Sequence, residues 1–240
     1  MAGRRGTPGL SEKIVAGLTE VVRADLAVLT LLERTDGTYR LRAFNGANRA
    51  YLGAEIRPGE GAAGRELHAE VMEASIRDSL TGTFNRRHFE PSLERMIAAR
   101  RRLPIDERPP LAAILFDLDL FGAFNKFHGH QTGDAVLRAF GKLMRERFRA
   151  SDLVARYGGE EFVAILDGTG RDEAFRIAEE IRTAFAEQSF RGASGERLSA
   201  TVSAGCAELG PEDGLGELLG ACDVGLAMAK GAGRNQVVAA

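Results

Sequence analysis

The run LAAILFDLD, residues 111–119, constrains this chain more than any other stretch. Side chains alternate between the two faces of a strand. A run that is apolar at nearly every position is therefore the mark of a buried strand, covered on both faces. The patterns around it supply the rest of a layered fold. NRRHFEPSLERMIAARRR is amphipathic with helical spacing, and LPIDERPP is a proline-rich loop. FNKFHGHQTGDAVLRAFGKLMRERF reads as a loop followed by a helix that Thr132 or Asp134 helps to start. LVARYGGEEFVAIL reads as two strands around Gly158-Gly159, the favoured composition for a two-residue hairpin turn. RDEAFRIAEEIRTAFAEQ is a helix, RLSATVSAGCAEL a strand, GLGELLGACDVGLAMAKGAG a helix closed by glycine, and QVVAA a final short strand. The order β-α-β-β-α-β-α predicts an α+β fold, a mostly antiparallel central sheet flanked by helices.

The first 74 residues follow a different pattern. SEKIVAGLTEVVRA has helical spacing with Ser11 as N-cap. DLAVLTLLER and TYRLRAFNG flank TDG and predict a β-hairpin. RPGEGAAGRELHA is a glycine-rich loop, and GRELHAEVMEASIRDSL continues as a helix to about residue 79. The expected division is residues 1–74 as an N-terminal segment with a linker helix, and 75–240 as the main domain.

Charge and composition exclude several classes. The 32 basic and 34 acidic residues nearly cancel, which argues against nucleic-acid binding through a basic surface. Cys206 and Cys222 form no zinc signature and fit a reducing compartment. No apolar stretch reaches the length of a membrane span, and no apolar core follows the N-terminal arginines as in a secretory signal. A cytoplasmic protein is the expectation.

The acids are the most informative residues. Alternation places Asp117 and Asp119 on one face, with Asp119 favoured as the cap of the following helix. Glu160 and Glu161 follow the Gly-Gly turn and point to opposite faces. If that hairpin lies beside strand 111–119, Asp117 meets one or both glutamates. Gathered carboxylates repel and raise one another's pKa unless a cation sits among them. Hard oxygen ligands with open positions suit Mg²⁺ bridging to phosphates. A solvated turn with exposed acids is the plainer alternative. In AKGAGRN, Lys230 and Arg234 are either phosphate ligands or helix-terminal cations favoured by the macrodipole. Asn125 and Asp134 are either readers of a guanine edge or turn and cap residues. His128 and His130 read as loop residues.

Taken together, DSLTGTFNRR, FDLDLFGAFN, GHQTGDAVL, RASDLVARYGGEEF, SAGCAEL and AKGAGRN resemble the GGDEF family of diguanylate cyclases, in the family's order and over residues 75–240. The resemblance implies that two GTP molecules are condensed into cyclic di-GMP with release of two pyrophosphates, across a homodimer. It implies Asp117 and Glu160 as ligands of Mg²⁺ (or Mn²⁺). Glu161 would assist at the metal or in activating the 3′-hydroxyl. Gly158 and Gly159 would let backbone approach phosphate, Asn125 and Asp134 would read guanine, and Lys230 and Arg234 would hold the terminal phosphates. Arg149 and Asp152 match the family's RxxD motif, an inhibitory product-binding site. A surface ion pair is the bland reading of that spacing. Glu180 stands where the family often has a second arginine, which implies weaker inhibition. Gly122 and Lys126 replace a usual lysine and acid, and Ala227 a usual tyrosine. Neither nucleic acid nor membrane is an expected partner.

Residues 24–69 are similar to the first half of a GAF sensor domain, which implies a truncated sensor serving as a dimerisation element. A catalytically silent cyclic di-GMP receptor acting through Arg149 and Asp152 is the alternative function. A Mg²⁺-dependent nucleotide cyclase of other base preference is a third. Intact GGEEF acids favour the enzyme, and Asp134 favours guanine.

Overall fold

The structure is a computed structural model that describes residues 76–240, together with the strand segments 28–29, 33–35, 38–41, 43–44 and 54–56. The chain divides into two compact units, Met1–Met72 and Glu73–Ala240. In the first, β1 (Val28–Leu29) pairs antiparallel with β4 (Ala43–Phe44). Strand β3 (Thr38–Leu41) lies between β2 (Glu33–Thr35) and β5 (Ala54–Ile56). The predicted hairpin is there, with Thr35 opposite Thr38. The helix expected over 11–24 and the glycine-rich loop after residue 56 lie outside the described residues.

The second unit is built on six strands: β6 (Phe84–Asn85), β7 (Leu111–Leu118), β8 (Leu153–Arg156), β9 (Glu161–Asp167), β12 (Val202–Glu208) and β13 (Val237–Ala239). Their order is β13-β12-β7-β9-β8-β6. The three central pairings are antiparallel, and the two outer ones, β12 with β13 and β6 with β8, are parallel. The sheet is therefore mixed. A separate hairpin joins β10 (Phe190–Arg191) to β11 (Arg197–Leu198), so the segment expected as one strand from Arg197 is broken before Val202.

Strand β7 is central, and all eight of its residues are buried. Alternation divides them. Ala112, Ile114, Phe116 and Leu118 join the core under α3 (His130–Arg147) and α4 (Arg171–Ala186). There the Phe140 ring meets Phe116, Phe162 and Phe185 edge to face, with centroids 4.8–5.7 Å apart. Leu111, Ala113 and Leu115 join the opposite core under α1 (Arg86–Arg100) and α5 (Leu215–Gly231). Two covered faces explain the unbroken apolar run. Burial pushes the thiols of Cys206 and Cys222 up, to about 11 and about 12.

Four local expectations need correction. The segment expected as a loop is helix α2 (Phe121–His128), which stops at Gly129, φ +79°. Helix α3 then starts at His130, so neither Thr132 nor Asp134 caps it; the Thr132 hydroxyl donates to the His128 carbonyl. The helix expected to run to about 79 is already broken at Arg77, which bridges to Phe84. The β8–β9 connection is four residues, Tyr157–Glu160, and neither Gly158 nor Gly159 has the positive φ of a two-residue turn.

Candidate active site

One end of the sheet gathers the acids. Asp117, the penultimate residue of β7, lies opposite Glu161 of β9 and Ser203 of β12. Its odd-numbered position turns it toward the α5 side. There Lys230, in the last turn of α5, places Nζ 2.9 Å from Asp117 Oδ2. Two glycines set how closely α5 lies on the sheet. A Cβ on Gly205 would sit 2.0 Å from the Cys222 carbonyl oxygen, and one on Gly225 would sit 3.2 Å from Gly205 Cα. No other residue permits that approach.

Glu160 precedes β9, and its carbonyl accepts from the Leu118 amide at 3.2 Å. Burial, and then the Asp117 charge, hold its carboxyl above the usual carboxylate range. Burial also raises Asp117, against the Lys230 ammonium that lowers it. The Glu161 carboxylate folds back on its own turn, so that a Cβ on Gly158 would lie 2.3 Å from its Oε2. At Gly159 the corresponding space is open.

Among the described residues, no three His, Cys, Asp or Glu side chains converge to hold a metal ion. The Asp117–Glu160 pair still fits one. It offers hard oxygen donors whose negative charge is poorly tolerated where it lies, and Asp117 already draws in an ammonium. A divalent ion there would take its remaining ligands from phosphate and water.

Two residues outside the expected site hold the turn before β9. Arg156 donates through Nε and Nη2 to the Gly159 carbonyl, at 3.1 and 2.5 Å. Its Nη1 lies 3.2 Å from both carboxylate oxygens of Asp78, which also accepts from the Thr81 amide and hydroxyl. Arg156 and Asp78 both lie within motifs already quoted, but 78 residues apart; nothing in either motif names the other as partner.

Asn125 is carried by α2 and Asp134 by the first turn of α3. The Asn125 Oδ1 is buried without a partner among the described residues. It sits where a Cβ on Gly133 would be, 1.8 Å away. Asp134 is half-buried, 3.8 Å from Arg138. Arg234 is exposed, in a turn that also leaves α5, and has φ +65°.

Asp119 is not a helix cap. Leu120 takes the N-cap position of α2 with no side-chain bond, and Asp119 instead binds Thr201, Ser203 and Asn235. Arg149 and Asp152 form no ion pair with each other. The Asp152 carboxylate accepts from the Arg149 amide at 2.9 Å, and the Arg149 side chain is left exposed.

The second unit is thus a three-layer α/β fold that gathers a carboxylate pair and a lysine at one end of its sheet. Comparison with known proteins gives its family. The family described as "Diguanylate cyclase, GGDEF domain" matches residues 75–236, and the chain belongs to that family. It is 41% identical to response regulator PleD of Caulobacter vibrioides over 169 residues, 70% of this chain and 36% of PleD. It is 34% identical to diguanylate cyclase DosC of Escherichia coli over 174 residues, 72% of this chain and 37% of DosC. The chain thus spans little more than a third of these relatives. The crystal structure of the GGDEF domain of DgcB from Caulobacter crescentus, in complex with c-di-GMP, superposes with a TM-score of 0.65 at 31% identity, over 69% of this chain and 93% of that one. The family match starts at residue 75, and nothing in these comparisons supports the GAF-like reading of the segment before it.

Proposed function

We propose that this chain is a diguanylate cyclase, converting two GTP into cyclic di-GMP and two pyrophosphates. In each half-reaction a 3′-oxygen bonds to the α-phosphorus of the other nucleotide. The bond from that phosphorus to pyrophosphate breaks, and the hydroxyl proton is lost. The observation that carries the reading is the buried Asp117 carboxylate, paired with Lys230 at 2.9 Å and coupled to Glu160 at the same sheet end. A Mg²⁺ or Mn²⁺ held by Asp117 and Glu160 would polarise the phosphate and ease deprotonation of the attacking oxygen.

The remaining roles belong to the chain. Lys230 and Arg234 neutralise the terminal phosphates, the lysine exchanging Asp117 for phosphate oxygen. Gly159, open on its outer side, admits phosphate against backbone. The orphan Asn125 oxygen and the Asp134 carboxylate accept from the guanine edge, and a buried acceptor of this kind is costly until a ligand satisfies it. Glu161 assists from the turn. One unit holds one GTP, so a second copy supplies the other, and the product forms between two facing units. The exposed Arg149 guanidinium, with Asp152, takes the product as an inhibitor, weakly because Glu180 opposes it. Residues 1–74 are read as a shortened GAF-like segment that helps to pair the copies, and the reaction as cytoplasmic. Among the described residues no helix is long and apolar enough to cross a membrane.

The test is incubation of the pure chain with GTP and Mg²⁺ and identification of the product by mass. Cyclic di-GMP is expected; its absence at high protein concentration contradicts the enzyme and leaves the silent receptor. Loss of cyclic di-GMP binding in Arg149→Ala is the expected result for the inhibitory site.

A further inference from the structure

The segment that leaves α5 is held in an unfavourable shape. Gly233, Arg234 and Asn235 have φ of +118°, +65° and +45° in succession. Two of the three are not glycine, and each L residue there costs roughly 1–2 kcal/mol. Such a backbone persists only where its surroundings over-determine it. Here they do. The Asn235 amide donates to Asp119 Oδ2 at 3.0 Å. That carboxylate is itself fixed by the Thr201 hydroxyl and the Ser203 hydroxyl, both at 2.7 Å, and the Asp119 amide donates to the Thr201 carbonyl at 2.9 Å. From the other side Arg182 of α4 donates to Asn235 Oδ1 at 3.1 Å. Arg182 is braced by Glu179, whose second oxygen accepts the Val237 amide at 3.2 Å. The clamp joins the residue after β7, the start of β12, α4 and the turn after α5.

We propose that Asp119 and Arg182 are positioning residues, clamping Asn235 from two sides so that the left-handed turn presents Arg234 to the terminal phosphates of the nucleotide. Neither touches substrate or metal in this account. The inference rests on the phosphate role given to Arg234 above. Asp119 accepts three hydrogen bonds from donors, and only a carboxylate offers acceptors on both oxygens. Oδ2 takes the Thr201 hydroxyl and the Asn235 amide together, and Oδ1 takes the Ser203 hydroxyl. An asparagine can keep all three by letting the Ser203 hydroxyl rotate and accept, so only removal of the side-chain acceptors breaks the clamp at this position. Arg182 acts on the turn alone, through a fork already oriented by Glu179.

The test uses the full chain and compares the affinities of GTP and GMP, which share the base, ribose and α-phosphate and differ in the terminal phosphates. Asp119→Ala and Arg182→Met are each expected to weaken GTP by about tenfold, the scale of a hydrogen bond to a charged group, and to leave GMP unchanged. In an Arg234→Ala background neither substitution is expected to weaken GTP further. Equal loss of GTP and GMP would show a general structural role and overturn the proposal, as would a full additional loss in Arg234→Ala. Arg182→Met lies on a surface helix and keeps the apolar stem, so it carries the test if Asp119→Ala does not fold. If Arg234→Ala alone leaves GTP affinity unchanged, the phosphate reading itself fails and takes the inference with it. If Arg234→Ala weakens GTP while both clamp variants bind like the wild type, the inference alone fails.

Discussion

Single residues at this site are fixed by space and charge more than by their own propensities. Gly133 is the clearest case. Alanine in a helix interior is ordinarily better than glycine by about 1 kcal/mol. Here its Cβ would occupy the place of the Asn125 oxygen. Gly133→Ala should therefore keep its fold and melting temperature while raising the KM for GTP several-fold, as steady-state kinetics on the purified variant would show. Arg156 makes the matching point for the turn before β9. Arg156→Lys keeps a charge for Asp78 but loses the planar fork on the Gly159 carbonyl. A misplacement of about 1 Å at a reacting centre can cost on the order of 10²-fold, so a large fall in kcat with retained fold is expected. Asp78 gives a pH signature. Burial pushes its carboxyl up, but the Thr81 hydrogen bonds and the Arg156 charge outweigh burial and hold it below its ordinary value of 3.8. A depressed folded pKa contributes stability above the unfolded value and loses it as pH falls through the folded one. Asp78→Asn should cost about 1–2 kcal/mol at pH 7, with the difference from wild type shrinking in urea melts below the ordinary carboxylate value.

At the scale of elements, how close one helix lies to the sheet decides where the cation sits. Helix α5 reaches β12 through Gly205 and Gly225, and Lys230 follows five residues after Gly225. Gly205→Ala would drive a methyl group into the backbone of Cys222 and Leu226. Overpacking of this kind costs about 1–3 kcal/mol or more. It should lower the melting temperature and weaken GTP binding together, unlike Gly133→Ala, which separates them. Elements were legible in the sequence where periodicity decides them. The eight buried residues of β7 and the apolar stripe of α1 could be read directly. The α2–α3 break could not, because one left-handed glycine, Gly129, splits a continuous helical pattern that local composition suggests is part loop. The β8–β9 turn was misread for the opposite reason. Its glycines look like positive-φ residues, but neither has positive φ; Gly158 leaves room for the Glu161 carboxylate, and Gly159 faces open space.

For the molecule as a whole, the ordered motifs made the family legible, and the strand register brings Asp117 to the Glu160–Glu161 pair. The network that supports the site was illegible. Asp119 finds its partners 82, 84 and 116 residues further along the chain, so only the folded sheet end reveals that it clamps and does not cap. On the proposed reaction each copy holds one GTP and needs a second copy for the other. Specific activity should therefore rise with protein concentration until dimers saturate, in an assay of pyrophosphate release across a dilution series; a constant specific activity would contradict pairing. The central claim is that Asp117 and Glu160 form the reacting end of the sheet. Its most direct test is turnover of Glu160→Gln, which keeps the shape of the side chain and removes its charge. The account predicts a melting temperature near that of wild type with cyclic di-GMP formation down by roughly 10²–10³-fold, the usual size for loss of a group that stabilises transition-state charge. Turnover at the wild-type rate would contradict it.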